Sequence, residues 1–151
     1  MTSINQLKNI IMKTLTLIVS LIFSTTFIQA QDSLKTYHIN VKIDNALSDK
    51  GSMLLGLHNE NTFMKGKGLK SMKSKIVDGK VEVTFKNITP GTYAILVFHD
   101  ANDNEKMDFD TTGMPLESYG MSNNPMLYGP PSFPDAKFTL ENEDIELLIR
   151  L

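Results

Sequence analysis

Hydrophobic and polar residues alternate with a period of two along most of this chain. Tyr37, Ile39, Val41 and Ile43 are separated by His38, Asn40 and Lys42, the pattern of a strand with one face buried and one in water. Met53, Leu55 and Leu57 repeat it after the turn-forming Ser48-Asp49-Lys50-Gly51. Val77 precedes Asp78-Gly79, and Val81, Val83 and Phe85 follow on one face, which predicts a hairpin. Thr92 to Phe98 (TYAILVF) is apolar on both faces, so it reads as a strand central in its sheet. Phe138 with Leu140, and Ile145 with Leu147, Ile149 and Leu151, complete the set. No window sustains a helical period. The fold class this predicts is all-β, an antiparallel β-sandwich of about seven short strands. Pro90-Gly91-Thr92-Tyr93 allows two readings, a tyrosine corner bonded back to the turn or an ordinary core tyrosine.

Two segments break the alternation. Residues 14 to 28 (TLTLIVSLIFSTTFI) are almost wholly apolar or small, follow Lys13, and lead to Ile28-Gln29-Ala30, which reads as a signal-peptidase site. Residues 1–30 are thus expected to be a signal peptide. Met12 is the better start for it, making residues 1–11 either an upstream extension or a misplaced start. The run is short for a membrane span of about 20 residues, so stable membrane insertion after cleavage is not expected. Residues 31–151 are the single expected domain. Removing Lys8 and Lys13 leaves 13 basic against 17 acidic side chains, a net −4. That balance gives no electrostatic case for nucleic acid. Cys is 0, which removes disulfides, thiolate metal sites and a cysteine nucleophile. Export predicts a periplasmic, extracellular or cell-surface location.

The second break is a loop from residue 100 to 136. Phe109, Met114, Leu116, Tyr119, Met121, Met126, Leu127, Tyr128 and Phe133 give it apolar content of its own, so it is expected to pack on itself at one end of the sandwich. It opens with Asp100, Asn102, Asn104 and Asp108, oxygen side chains at positions 1, 3, 5 and 9 of a calcium loop. The Lys106 carbonyl would serve position 7. Glu105 stands where the turn glycine belongs and Thr111 where a bidentate Glu belongs; Asp110 or Glu117 would have to compensate. The alternative is an Asp/Asn-rich turn without metal.

His99 shares a face with Tyr93, Ile95 and Val97, which favours an anchor for the loop through buried backbone over a general base. His38 is expected on a solvated sheet face, and His58 has no evident chemical neighbour. Met107, Met114, Met121 and Met126 read as gap-filling side chains rather than copper ligands. Lys65, Lys67, Lys70, Lys73 and Lys75 read as an edge guarded against pairing, with contact to an anionic envelope polymer as the other use.

Pro90-Gly91-Thr92-Tyr93-Ala94, Phe98-His99-Asp100, the Asn102/Asn104/Asp108 series, Gly113 to Asn124 and Gly129 to Ala136 together resemble the secreted bacterial family grouped as domain of unknown function 2141. The resemblance covers essentially the whole expected domain. It implies a signal peptide, a β-sandwich of prealbumin type and no assigned activity. That family usually has Gly in place of Glu105 and often an aromatic residue in place of Met121.

The leading functional reading is a non-enzymatic exported module, its loop braced by calcium or by its own hydrogen bonds, with an envelope polymer or protein as partner. A rival is a small prealbumin-like hydrolase using His99. Such enzymes converge His and Arg, and the one Arg here is Arg150. A third is an envelope assembly or adhesion subunit that pairs through a sheet edge, which the lysines oppose. N-terminal sequencing of the protein from an envelope fraction is expected to begin at Gln31; an intact mass that includes residues 14–28 would make it an anchored protein.

Overall fold

Period-two alternation becomes strand in six segments: β1 (Tyr37–Ile43), β2 (Ser52–His58), β4 (Val81–Ile88), β5 (Gly91–Asp100), β7 (Phe138–Leu140) and β8 (Ile145–Leu148). Two further strands, β3 (Lys70–Ser74) and β6 (Tyr119–Met121), and one helical turn, α1 (Phe133–Ala136), complete the fold. The structure is a computed structural model that describes residues 3–4, 6–8, 12–13, 34–126 and 129–151. It divides into two units, residues 1–33 and 34–151. In the first, residues 3–4, 6–8 and 12–13 are helical. The apolar run and cleavage site at 14–30 lie outside the described residues, as do Leu127 and Tyr128. No described helix is long and apolar enough to cross a membrane.

Residues 34–151 build two sheets, one of order β4-β1-β8, the other of order β3-β2-β5-β6 with β7 also on β5. β1 pairs antiparallel with β4 (Ile39 opposite Phe85, Val41 opposite Val83) but parallel with β8 (Ile39 opposite Ile145). The sandwich is therefore rich in antiparallel pairs without being wholly antiparallel. β5 is central, as its two apolar faces predict: β2 flanks it on one side, and on the other β7 pairs at Gly91–Tyr93 and β6 at Leu96–Phe98.

The main core lies between the sheets, where Ile39, Val41 and Ile43 meet Met53, Leu55 and Leu57, Val81, Val83 and Phe85, and Ile95 and Val97. A second, smaller core covers the other face of β5: Phe63, Ala94, Met121 and Ala136, with Leu96, Tyr119 and Phe133 packed against it. Met121 thus packs, as expected. His58 has a neighbour after all: its ring meets Phe63 edge-on at 6.0 Å, and its Nδ1 lies 2.9 Å from the Thr62 carbonyl.

The long loop is only partly self-packed. Tyr119, Met121 and Phe133 join the second core, but Phe109, Met114 and Leu116 are 57%, 64% and 68% exposed on a small hairpin. Met114 and Met126 are exposed too, so gap-filling holds for Met121 and not for them.

Asp78-Gly79 forms the expected tight turn, with φ of 52° and 71° and paired bonds between Val77 and Lys80. The hairpin stops at that bridge, because β3 and β4 enter different sheets. Both carboxylate oxygens of Asp49 accept N–H groups of the turn, from Asp78 at 3.0 Å and Gly79 at 2.8 Å. β3 is an edge, as the lysine-rich stretch predicts, and Lys70 Nζ donates to the Lys86 carbonyl at 2.6 Å, covering the edge of β4. Asn124 covers β8 similarly, accepting the Arg150 N–H and donating to the Leu148 carbonyl, both at 2.8 Å.

The tyrosine corner is present: Tyr93 Oη donates to the Thr89 carbonyl at 2.9 Å. Tyr93→Phe removes this bond and a longer one, 3.3 Å, to the Thr89 hydroxyl, with little packing, so unfolding in urea is expected to show a loss of about 1–2 kcal/mol with an unchanged slope.

Candidate functional site

The candidate loop starts where β5 stops being hydrophobic. His99 is 5% exposed, and its Nε2 lies 2.7 Å from the Lys50 carbonyl. A carbonyl only accepts, so that nitrogen carries a proton and donates it. His99 does anchor by bonding backbone, but its side chain holds the turn between β1 and β2; its own N–H reaches the long loop, at the Ser118 carbonyl. Gly51 ends that turn with φ 69°, and a Cβ there would lie 2.0 Å from the Asp100 carbonyl. Only glycine permits this approach.

Asp100 is fully buried, yet its carboxylate is satisfied by the loop's own backbone. Oδ1 accepts the Asn104 N–H at 3.0 Å and Oδ2 the Glu105 N–H at 2.8 Å. The Asn104 N–H is shared with Asn102 Oδ1 at 3.1 Å, which brings the first and third positions of the series together. Asn102 Nδ2 and Asn104 Nδ2 both donate to Asp108, at 2.7 Å and about 3.0 Å. Asp100, Asn102, Asn104 and Asp108 are therefore linked in one network. Lys106 enters it through its N–H, which donates to Asn104 Oδ1 at 2.8 Å. Among the described residues, no three His, Cys, Asp or Glu side chains are grouped to hold a metal. The oxygens of this cluster come from two carboxylates and two amides.

The two residues named as compensating ligands behave differently. Glu117 reaches the loop and staples its ends, accepting the Ala101 N–H at 3.0 Å and the Asp108 N–H at 3.2 Å. Asp110 instead caps its own turn, accepting from the Thr112 N–H, the Thr112 hydroxyl and the Met114 N–H. These bonds, the Thr112 hydroxyl first, hold its carboxyl below the ordinary 3.8. Between them, the Asp108 carbonyl accepts the Leu116 N–H at 2.8 Å and the Met114 carbonyl accepts the Asp110 N–H at 2.9 Å, making the hairpin that carries Phe109.

Glu105 adopts φ 60°, the left-handed conformation that explains why glycine suits this position. Its carboxylate compensates by lying 3.5 Å from Lys73 Nζ and 3.6 Å from Lys67 Nζ. Lys73 also lies 3.2 Å from Asp103, whose Oδ1 accepts the Ser52 hydroxyl at 2.7 Å. The ties of Ser52, Lys67 and Lys73 to this loop escaped the sequence reading, which took the two lysines as part of a guarded edge. The available signal was that Asp103 and Glu105 put charge at two non-ligand positions of the loop, while the basic run had no counter-charge of its own.

The Ser52 hydroxyl, and then the Lys73 ammonium, hold the Asp103 carboxyl below 3.8. A depressed folded value stabilises above 3.8 and is lost as pH falls through that folded value. Ser52→Ala is therefore expected to move the Asp103 midpoint up towards 3.8 in an NMR titration. It should also flatten the loss of stability below that pH.

Residues 41–147 match the family described as "Uncharacterized protein conserved in bacteria", domain of unknown function 2141. No curated protein and no solved structure matches the chain. The matched span runs from the middle of β1 to the middle of β8 and includes the whole candidate loop. The chain belongs to this bacterial family, the domain of unknown function 2141.

Proposed function

We propose that the protein is an exported, non-enzymatic β-sandwich module whose loop at residues 100–117 closes on calcium. One observation carries this reading: the side chains of Asp100, Asn102, Asn104 and Asp108, spaced for a calcium loop, converge in a single network. Half a turn of each asparagine amide about its last side-chain bond exchanges nitrogen for oxygen and presents carbonyl oxygens to Asp108's neighbourhood, giving up the bonds those oxygens now accept from the Asn104 and Lys106 N–H groups. Hard oxygen donors of this kind are what calcium takes. The N–H at position six already donates to the position-one carboxylate, which holds that carboxylate in place for a cation.

A catalytic role for His99 is disfavoured because its Nε2 proton is committed to the Lys50 carbonyl. Pairing through the β3 edge is disfavoured by Lys70 and Lys73, which stand on it.

In thermal melting, millimolar calcium is expected to raise stability, by about 2.7 kcal/mol when it reaches 100 times Kd. Affinity near 10⁻⁴ to 10⁻³ M, of extracellular grade, is expected. Asp108→Ala should abolish the shift and Glu105→Gly should tighten binding, while magnesium, with its stricter octahedron, does much less. A melt indifferent to calcium in both the natural sequence and Glu105→Gly would leave the hydrogen-bonded loop as the whole account.

A further inference from the structure

A cleft of about 380 Å³ lies where the 59–61 turn, the start of β5 and α1 meet, on the side of the second core. That volume falls within the range of about 300–1,000 Å³ typical of small-molecule sites. Phe133 and Pro134 supply its apolar wall, and Asn59, Glu60, Asn61, Thr92 and Lys137 its polar one.

The polar wall has unused bonding capacity. At the cleft, Asn59 uses only its Oδ1, on the Thr62 N–H at 3.1 Å. Among the described residues, the side chains of Glu60, Asn61, Thr92 and Lys137 have no hydrogen-bond or ion-pair partner. The apolar wall, by contrast, is fixed: Phe133 meets Phe63 edge-on at 5.8 Å, and Phe63 meets His58 in the same way. A pinned aromatic ring beside a proline gives a stacking surface that loses little freedom on binding.

We propose that this cleft binds a segment of uncharged carbohydrate. A sugar ring offers C–H faces for Phe133 and Pro134 and hydroxyls that both donate and accept. Asn59 Nδ2 supplies donors, Asn61 and Thr92 both donors and acceptors, Glu60 acceptors and Lys137 donors. Anions fit poorly, because Glu60 opposes the one cation, Lys137. A metal ion fits poorly, because Glu60 is the one carboxylate. A wholly apolar ligand would bury the five polar side chains without partners. This site deepens the reading of the protein as a binding module and does not use the calcium loop.

The test is titration of the ¹⁵N-labelled domain with cellohexaose, maltohexaose and chitohexaose, with oligogalacturonate as the acidic control, in the presence and absence of calcium. At least one neutral oligosaccharide is expected to give saturable shifts at Asn59, Asn61, Thr92 and Lys137, with Kd about 10⁻³ M as befits an open cleft. Asn61→Ala and Lys137→Ala, both at exposed positions, are expected to keep the melting temperature and weaken binding about tenfold each. No shift with any neutral oligosaccharide at about 10 mM, ten times the expected Kd, would overturn the proposal. So would shifts confined to other surfaces, or binding of the acidic control alone. Failure here with an intact calcium-dependent melt would remove the carbohydrate site and leave the calcium loop standing.

Discussion

Tyr93, Ile95 and Val97 of β5 point into the core between the sheets, while Ala94 and Leu96 point into the smaller core outside. A strand covered on both faces keeps a polar side chain only where it is hydrogen-bonded, and the mostly apolar run TYAILVF follows from that requirement. The arrangement also dictates what the long loop must do. Without Met121, Ala136 and Phe133 against it, the outer face of β5 would be open to water, so the chain returns twice to cover it, once as β6 and once as α1 and β7. Ser122 locks the return: its N–H and hydroxyl bond the Ile95 carbonyl and N–H, each at 3.0 Å, and its hydroxyl donates to the Ala136 carbonyl.

The candidate loop then begins at a point already fixed by burial. Asp100 sits at the end of that strand and folds the loop back on itself by receiving the N–H groups of Asn104 and Glu105. Asparagine and aspartate side chains here do the work that neighbouring strands do elsewhere, closing short rings onto the backbone. Each such bond contributes only about 1 kcal/mol, but they share donors and acceptors, so the loop holds or opens largely as a unit. Asp103 and Glu105 both take the left-handed conformation in this stretch; a short Asp side chain visits it more readily than Glu, and the two exposed ion pairs of Glu105 offset part of its cost.

Legibility tracked burial. Strands with a buried face announced themselves through alternation, and Tyr93 and Asp78-Gly79 carried local signals that their geometry confirms. β3 was read as a guarded edge rather than a strand, because only Met72 among its five residues packs against the main core. β6 and α1 span only three and four residues inside the long loop, and both exist because of what they cover rather than by propensity. Within the site, Asp100, Asn102, Asn104 and Asp108 were visible because they are close in sequence. The ties to Ser52 and Lys73 were not, since they cross about 50 and 30 residues of chain and depend on β2 and β3 lying side by side.

β8 runs parallel to β1 and hydrogen-bonds to it across more than 100 residues of intervening chain. A growing polypeptide can assemble β2, β3 and β5 once residue 100 has emerged, but β1 has β4 alone to rest on until residues 145–148 emerge. Loop closure over that span is slow, and the main core stays short of Ile149 meanwhile. The order of the strands thus acts as a timer: the sheet that contains the first strand of the domain waits for the last. A chain cut short before Ile145 is expected to linger with one edge of β1 exposed, a state that invites pairing with a second copy or removal by proteases.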